Sequence, residues 1–170
     1  TLFASGTFAQ GASIRVKGTP TDVSGTVVNE TVTVSTNEHI LDFTVDNLTG
    51  SDQDWGLMRI RLTSSIGWTD QVCWGAVSQA VGECSTPSGD SFTTGYTVPV
   101  QTTTTDAEIN IYIEAPTGGS SSFRYYIMNG TTKVDSVDVT ITKTLGLSEN
   151  VSLALTVAPN PASNVVNINM

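Results

Sequence analysis

Basic residues, histidine and cysteine are all scarce in this sequence. Its 170 residues include seven lysines and arginines, one histidine and two cysteines. Because His39 is the single imidazole, catalytic or metal sites that need two histidines are excluded, and we expect no cofactor. Sixteen acidic residues leave a net charge of −9, which disfavours nucleic acid and anionic membrane surfaces as partners. No run of about eighteen apolar residues occurs, so we expect no direct membrane insertion.

What the sequence has in abundance is β-branched residues. It contains 27 threonines and 19 valines, a composition typical of strands. Polar and apolar residues alternate within residues 12–17, 26–35, 40–45, 55–62, 93–100, 108–114, 123–128 and 134–142. A single helical turn is the most that we expect from residues 75–81. The sequence predicts an all-β fold, an antiparallel, immunoglobulin-like β-sandwich of about seven to nine strands, with a jelly roll or a small barrel as alternatives.

Two segments allow more detailed predictions. Asn129-Gly130 is the strongest turn signal in the chain and predicts a hairpin between residues 123–128 and 134–142. In residues 55–62 the alternation places Met58, Ile60 and Leu62 on one face. Arg59 and Arg61 would then lie on the other face, solvated or paired across strands.

The ends of the chain differ from its middle. Residues 1–9 finish with Thr7-Phe8-Ala9, the small-x-small pattern of a signal-peptidase site, so we interpret them as a signal-peptide remnant, with an ordinary first strand as the alternative. We expect the β-sandwich domain over residues 10–144, a polar linker over 145–150 and a separate segment over 151–170.

The two cysteines are placed for a disulfide. Cys73 and Cys84 are eleven positions apart, and neither belongs to a CxxC pair or to a histidine-containing metal motif. A bond between them would stabilise the fold by about 3 kcal/mol in an oxidising compartment. Two unrelated buried thiols are the alternative.

Catalytic and metal signals are weak. His39 follows Glu38 at the start of an alternating segment with no recognisable triad partners, so we expect no catalytic residue and no enzyme activity. The acidic residues are scattered along the chain. The sequence does not give their separation in space, so it neither supports nor excludes a carboxylate pair for glycoside hydrolysis. Asp52 and Asp54 suit a calcium loop only weakly, and a solvated acidic turn explains them better.

Aromatic residues offer a second kind of binding surface. Trp55, Trp68, Trp74 and Tyr96 are candidates for a flat platform on which a sugar ring stacks. Core packing is the alternative, with Trp55 in the core and Trp68 and Trp74 against the disulfide.

The final twenty residues carry the most specific pattern. Pro159-Asn160-Pro161 interrupts both helix and sheet, so the segment predicts a strand, a tight corner and a second strand. It resembles the start of the type A C-terminal sorting domain of the Bacteroidetes type IX secretion system, which reads approximately L-x-V-aromatic-P-N-P-A-x-x-x-V-x-I. The matching residues are Leu155, Val157, Pro159, Asn160, Pro161, Ala162, Val166 and Ile168, and Ala158 departs from the usual aromatic residue.

The resemblance implies an exported protein, extracellular or on the outer cell surface, whose partner during export is the type IX translocon. The family's sorting domain is a small β-sandwich longer than residues 151–170, so we expect this segment to be a truncated sorting domain. An incomplete domain would expose strand edges, which predicts strand exchange into a homo-oligomer or filament. Ser136, after Asp135 and before Val137, resembles the acceptor of Bacteroidetes O-glycosylation.

Together these patterns favour a non-enzymatic secreted or cell-surface protein with a structural, adhesive or self-assembling role. The alternative is a carbohydrate-binding module of a polysaccharide-degrading system, which would make glycans the partner.

Overall fold

The computed structural model describes residues 11–32, 37–76, 82–100 and 107–144 fully, and the backbone of two short strands near the C-terminus. Residues 1–9 and 145–150 lie outside this part of the chain. The strands are β1 (Ala12–Val16), β2 (Val27–Val32), β3 (Glu38–Asn47), β4 (Gln53–Thr63), β5 (Thr69–Ala76), β6 (Glu83–Ser85), β7 (Ser91–Thr93), β8 (Val98–Val100), β9 (Ala107–Glu114), β10 (Gly119–Asn129), β11 (Thr132–Lys143), β12 (Thr156–Ala158) and β13 (Asn167–Asn169). No helix among the described residues has the length and apolar character needed to cross a membrane.

Eleven of these strands build two sheets. The first has the order β1-β3-β9-β5-β6, and the second has the order β2-β11-β10-β4-β7, with β8 also paired to β4. All pairings are antiparallel except that of β2 with β11, which is parallel. The predicted all-β sandwich is confirmed, with more strands than expected because β6, β7 and β8 are three residues each.

The core lies between the sheets and follows from the alternation along each strand. In β9, Ile109, Ile111 and Ile113 are fully buried, while the intervening side chains face outward. Trp55, Trp74, Phe43, Phe123 and Tyr125 are the largest aromatic side chains buried with them. Burial of this apolar surface is the main driving force for closing the two sheets.

The predicted hairpin is confirmed. β10 and β11 pair in antiparallel register from Gly119 opposite Lys143 to Asn129 opposite Thr132. Gly130 has a φ of 57°, in the left-handed region that glycine adopts without steric cost. A bulge between Ile127 and Met128 shifts the register near the turn.

Residues 55–62 alternate as predicted, and Arg59 and Arg61 pair across strands with Asp70, but the face that carries them is the inward one. Leu57 and Arg59 point between the sheets and are fully buried, whereas Leu62 is 46% exposed on the outer face. The inversion arises because Arg59 is neutralised by a carboxylate of the opposite sheet, so an inward charged side chain is tolerated.

The predicted helical turn at residues 75–81 is also wrong for its first two residues. Gly75 and Ala76 belong to β5, a strand in the interior of the first sheet that alternation did not predict. Residues 77–81 lie outside the described part of the chain.

The free edge of β1 is closed by the loop that follows it. The hydroxyl of Ser24 accepts a hydrogen bond from the N–H of Ile14 at 2.9 Å and donates to the carbonyl of Ala12 at 3.5 Å. The N–H of Val23 donates to the carbonyl of Ile14 at 2.7 Å. These bonds occupy polar groups that a neighbouring strand would otherwise use.

Candidate binding groove

The candidate site lies on the outer face of the five-stranded sheet. Tyr112 of β9 stands opposite Ile40 of β3 on one side and Gln71 of β5 on the other. Ile40 is 52% exposed and Gln71 is exposed, so this row presents apolar and amide surface to solvent. The row follows from strict alternation in β9, which sends Glu108, Asn110, Tyr112 and Glu114 outward.

A groove of about 260 Å³ runs beside Tyr112. Its lining residues are Glu38, Thr69, Asp70, Gln71, Thr86, Tyr112 and Glu114. Three adjacent strands and the residue after β6 therefore build its walls. The lining combines carboxylates, an amide, hydroxyls and one aromatic ring, which suits a ligand with hydrogen-bond donors.

Two of the lining residues are glutamates on neighbouring strands. Glu38 and Glu114 are directly opposite in the β3–β9 register, and both are exposed. Facing residues of an antiparallel pair have Cβ atoms about 4.5–5.5 Å apart, and like charges there destabilise the sheet. Neither carboxylate forms a hydrogen bond or ion pair with the described residues.

The other carboxylates on this face are neutralised or hydrogen-bonded. Asp42 accepts a hydrogen bond from Asn110 at 2.9 Å. Glu108 pairs with Lys17 at 2.9 Å, and this interaction raises the pKa of Lys17. Asp46 pairs with Arg15. Glu38 and Glu114 thus differ from these carboxylates in having no hydrogen-bond or ion-pair partner among the described residues.

A buried ionic cluster supports the groove from below. Arg59 of β4 donates from Nε to Asp70 of β5 at 2.8 Å and from Nη1 to the carbonyl of Gly89 at 2.7 Å. Arg61 Nη2 donates to the same carboxylate at 3.0 Å. The cluster joins the two sheets and fixes the start of β5, where Thr69 and Gln71 line the groove.

Aromatic residues complete this buried region. The guanidinium of Arg59 lies 5.4 Å from the centroid of the Phe123 ring. Burial raises the pKa of Tyr125, and the charge of Asp70 raises it further. Among the described residues the Tyr125 hydroxyl has no hydrogen-bond partner, and its raised pKa keeps it neutral beside the ionic cluster.

The predicted disulfide is present between Cys73 and Cys84. The two cysteines are register partners in the β5–β6 pair, next to the partners Val72 and Ser85. The bond therefore ties β6 to the sheet interior and positions the following Thr86 as a wall of the groove. Trp74 lies on the opposite side of β5 from the disulfide and faces the core. The prediction that Trp74 packs on the disulfide is therefore wrong.

The four aromatic residues predicted as a sugar platform do not form one. Trp55, Trp68 and Trp74 are buried, and Tyr96 is half-buried against the core. Trp74 Nε1 donates to the carbonyl of Trp55 at 3.0 Å, and Trp68 Nε1 donates to the carbonyl of Thr117 at 3.0 Å. Their rings fill space between the sheets, which agrees with the core-packing alternative.

The remaining predicted site residues lie apart from one another. Ser136 is only 9% exposed within β11, so the folded strand does not offer it as a glycosylation acceptor. His39 is half-buried in β3, and its Nε2 has no hydrogen-bond partner within the described part of the chain. Asp52 precedes β4, and Asp54 pairs with Pro99 of β8. Among the described residues no three histidine, cysteine or acidic side chains gather to hold a metal.

The tail motif is described in part. Val157 of β12 and Ile168 of β13 are antiparallel register partners, which matches the two predicted strands, while the predicted corner lies outside the described residues. Leu155, Pro159, Asn160, Pro161, Ala162 and Val166 lie outside the described residues.

The sequence did not single out Glu38, Gln71 and Glu114. The available signal was the alternation of residues 108–114, which places Tyr112 and Glu114 on one face. Which neighbouring strands flank them depends on sheet order, and alternation carries no information about order.

The two packed sheets define an immunoglobulin-like β-sandwich, and a solved domain shares this fold. The N-terminal domain of PorA superposes with a TM-score of 0.54 at 14% identity, covering 78% of this chain and 97% of that one. An ASH/PapD-like domain of human CEP192, its PapD-like domain 7, gives a TM-score of 0.32 at 12% identity and covers 81% and 87% of the two chains. No protein-family model matches the sequence, and no curated protein matches it. At 14% identity the PorA domain shows only that the two chains share a fold, and a shared fold does not imply a shared function.

Proposed function

We propose that this chain is a non-enzymatic β-sandwich that is exported by the type IX route and has an adhesive role outside the cell or on its outer surface. The observation that carries the export part is the tail motif. Eight residues between Leu155 and Ile168 match the sorting-domain pattern in type and spacing. The antiparallel pairing of β12 with β13 supports this, because both strands fall within the residues that carry the motif.

The groove supports the adhesive part. It lies on an open sheet face rather than in an enclosed cavity, and its walls come from rigid strands. Catalytic carboxylate pairs depend on one member held in an apolar, water-poor environment. Glu38 and Glu114 are both exposed, so we assign binding to this groove rather than hydrolysis.

Export is tested in a Bacteroidetes host with an active type IX system and in an isogenic strain that lacks it. We expect full-length wild-type protein in the medium or on the surface of the first strain, and in the periplasm of the second. A variant with Pro159→Ala and Pro161→Ala should accumulate in the periplasm of both strains. The matched control changes two non-motif residues of the same segment, Ser163→Ala and Asn164→Ala, and should be exported normally. Export of the proline variant, or export without the type IX system, would contradict the proposal.

A carbohydrate-binding module is the second candidate, and Tyr112 favours it. An aromatic ring beside the Gln71 amide and the hydroxyls of Thr69 and Thr86 is a lining that sugars use. Isothermal titration of neutral oligosaccharides into wild-type protein and a Tyr112→Ala variant tests this. Binding that the substitution abolishes supports the module, and no binding by the wild type excludes it for those sugars.

We also propose that the protein self-assembles by strand exchange, and that the open edge of the second sheet receives the added strand. Within the described residues β2 pairs with β11 on one side and with no strand on the other. Its register with β11 is continuous over six residues, and it contains neither proline nor lysine, which commonly protect edge strands. Light scattering across protein concentrations tests this, with an Asn29→Pro variant expected to remain monomeric because, in the parallel register with β11, the N–H of Asn29 faces the open edge.

A further inference from the structure

A buried lysine joins the two sheets at one end of the sandwich. Lys143, the last residue of β11, is only 4% exposed, although lysine is among the residues least often buried. Its Nζ donates to Asn37 Oδ1 at 3.1 Å and to the Ala115 carbonyl at 2.6 Å. Asn37 immediately precedes β3 and Ala115 immediately follows β9, so a side chain of the second sheet is held by the ends of two strands of the first.

This contact brings an amine next to a carboxamide carbon. An amide C=O bond is about 1.2 Å long, so Nζ of Lys143 lies within about 4.3 Å of Cγ of Asn37. Reacting atoms in a near-attack geometry are about 3–3.5 Å apart, which a small rotation of the exposed Asn37 side chain provides. The N–H of Ala115 donates to the backbone carbonyl of Asn37 at 2.6 Å and so holds Asn37 against the end of β9.

A base for the lysine proton is available two residues along β3. His39 stands opposite the fully buried Ile113, and facing residues of an antiparallel pair lie on the same side of the sheet. The imidazole therefore points between the sheets. Its Nε2 is buried and has no hydrogen-bond partner among the described residues. Residues two apart in a strand are about 7 Å apart on one face, which places this nitrogen within reach of an amine held at Asn37.

We propose that Lys143 and Asn37 form an amide bond that links the two sheets covalently. His39 takes one proton from the Lys143 ammonium, and the free amine attacks Cγ of Asn37. The Nζ–Cγ bond forms, the Cγ–Nδ2 bond breaks, and the departing nitrogen takes a second proton from Nζ and leaves as ammonia. His39 passes its proton to that ammonia, so the protein loses one ammonium ion and one positive charge. Each molecule reacts once, and the reaction needs no oxidant, reductant or cofactor.

The proposed bond is independent of export and of the groove, and its effect is on the stability of the sandwich. Lys143 and Asn37 are 106 residues apart in the chain, so the bond closes a loop that contains most of the domain. Closing a loop restricts the unfolded chain, and the restriction grows with loop length. The disulfide spans only eleven residues. The amide bond should therefore restrict the unfolded chain more than the disulfide does.

Mass spectrometry of reduced and denatured protein tests the bond. We expect the wild type to be lighter than its sequence by one ammonia. Trypsin does not cleave after an acylated lysine, so the digest should contain a branched peptide that joins residues 18–59 to residues 134–170. Lys143→Arg and Asn37→Ala should each have the mass of their sequence, yield no branched peptide and unfold at lower urea concentration than the wild type.

Lys133→Arg is the matched control, because Lys133 contacts the Tyr126 ring. This variant should keep both the lighter mass and the branched peptide. Wild-type protein that has the mass of its sequence would overturn the proposal. So would an ammonia loss that persists in Lys143→Arg or maps to Asn129-Gly130, where a succinimide would release ammonia. Circular dichroism checks that each variant is folded.

The role of His39 is tested by the rate at which the bond forms. After cell-free synthesis, the branched fraction of His39→Ala should rise about a hundred-fold more slowly than that of the wild type. Lys133→Arg should match the wild-type rate. Equal rates for His39→Ala and wild type would overturn the assignment of His39 as the proton acceptor.

Discussion

The guanidinium of Arg59 and the carboxylate of Asp70 form an ion pair that links the two sheets through the core. Neither side chain has exposed surface, and Arg61 shares the same carboxylate at 3.0 Å. Asp70 is therefore the carboxylate that the two arginines share, while Arg61 also lies 3.8 Å from the exposed Asp90.

Replacing Asp70 should destabilise the protein strongly. Asp70→Ala leaves the buried Arg59 without its carboxylate, and we expect the free energy of unfolding to fall by about 3–5 kcal/mol. Urea denaturation measures this. The double variant Arg59→Met with Asp70→Leu removes both buried charges and should lose much less. If single and double variants lose the same amount, an uncompensated buried charge is not the cause.

The disulfide should contribute to stability by constraining the unfolded chain. Replacing Cys73 and Cys84 with serine should lower the free energy of unfolding by about 3 kcal/mol. Wild-type protein in reductant should show a similar loss, because Cys84 is exposed and the bond lies at the outer face. Mass spectrometry after alkylation reports the redox state. Identical denaturation midpoints for oxidised and reduced wild type would refute this prediction.

Asp135 should make stability depend on pH. Burial raises the pKa of its carboxyl group, a hydrogen bond from the Ser136 N–H opposes this, and the charge of Asp22 adds to the rise. The folded protein holds this proton more tightly than the unfolded chain, so the group lowers stability as pH rises from about 3.8 through its folded pKa. Asp135→Asn should therefore stabilise the protein at pH 7 and have little effect below pH 3.8.

Thermal unfolding across that pH range measures the difference between Asp135→Asn and wild type. Asp52→Asn removes an exposed carboxylate and serves as the control, with no comparable gain expected at pH 7. A gain for Asp135→Asn that is equally large at acidic pH would mean that burial of the charge is not responsible.

Ser24 should protect the edge of β1. Ser24→Ala removes the acceptor for the N–H of Ile14, which we expect to cost about 1 kcal/mol and to expose the edge to other chains. Analytical ultracentrifugation should show association that increases with concentration. Ser88→Ala, at an exposed position in another loop, should remain like wild type. A monomeric Ser24→Ala protein at all concentrations would show that other features close this edge.

Much of the fold could be predicted from the sequence because most strands obey one rule. In β9 and in the β10–β11 hairpin, apolar side chains point inward at every second residue, and Gly130 marks the turn. The disulfide followed from the number and spacing of the cysteines.

The failures share a physical cause. Arg59 and Asp70 occupy inward positions, so their charges reverse the apparent faces of β4 and conceal the alternation of β5. Their burial is stable only because they meet, and the sequence does not show that β4 and β5 lie in opposite sheets. The groove was missed for the same reason, since Glu38, Gln71 and Glu114 come together only through sheet order.

The parallel pairing of β2 with β11 bears on how this protein acquires its structure. Val28 pairs with Val139, more than a hundred residues later in the chain, and contacts so distant in sequence form slowly. As the polypeptide emerges from the ribosome with its N-terminus first, the second sheet cannot be completed until β11 has been made. The connectivity thus delays final closure of the sandwich until nearly the whole domain is available.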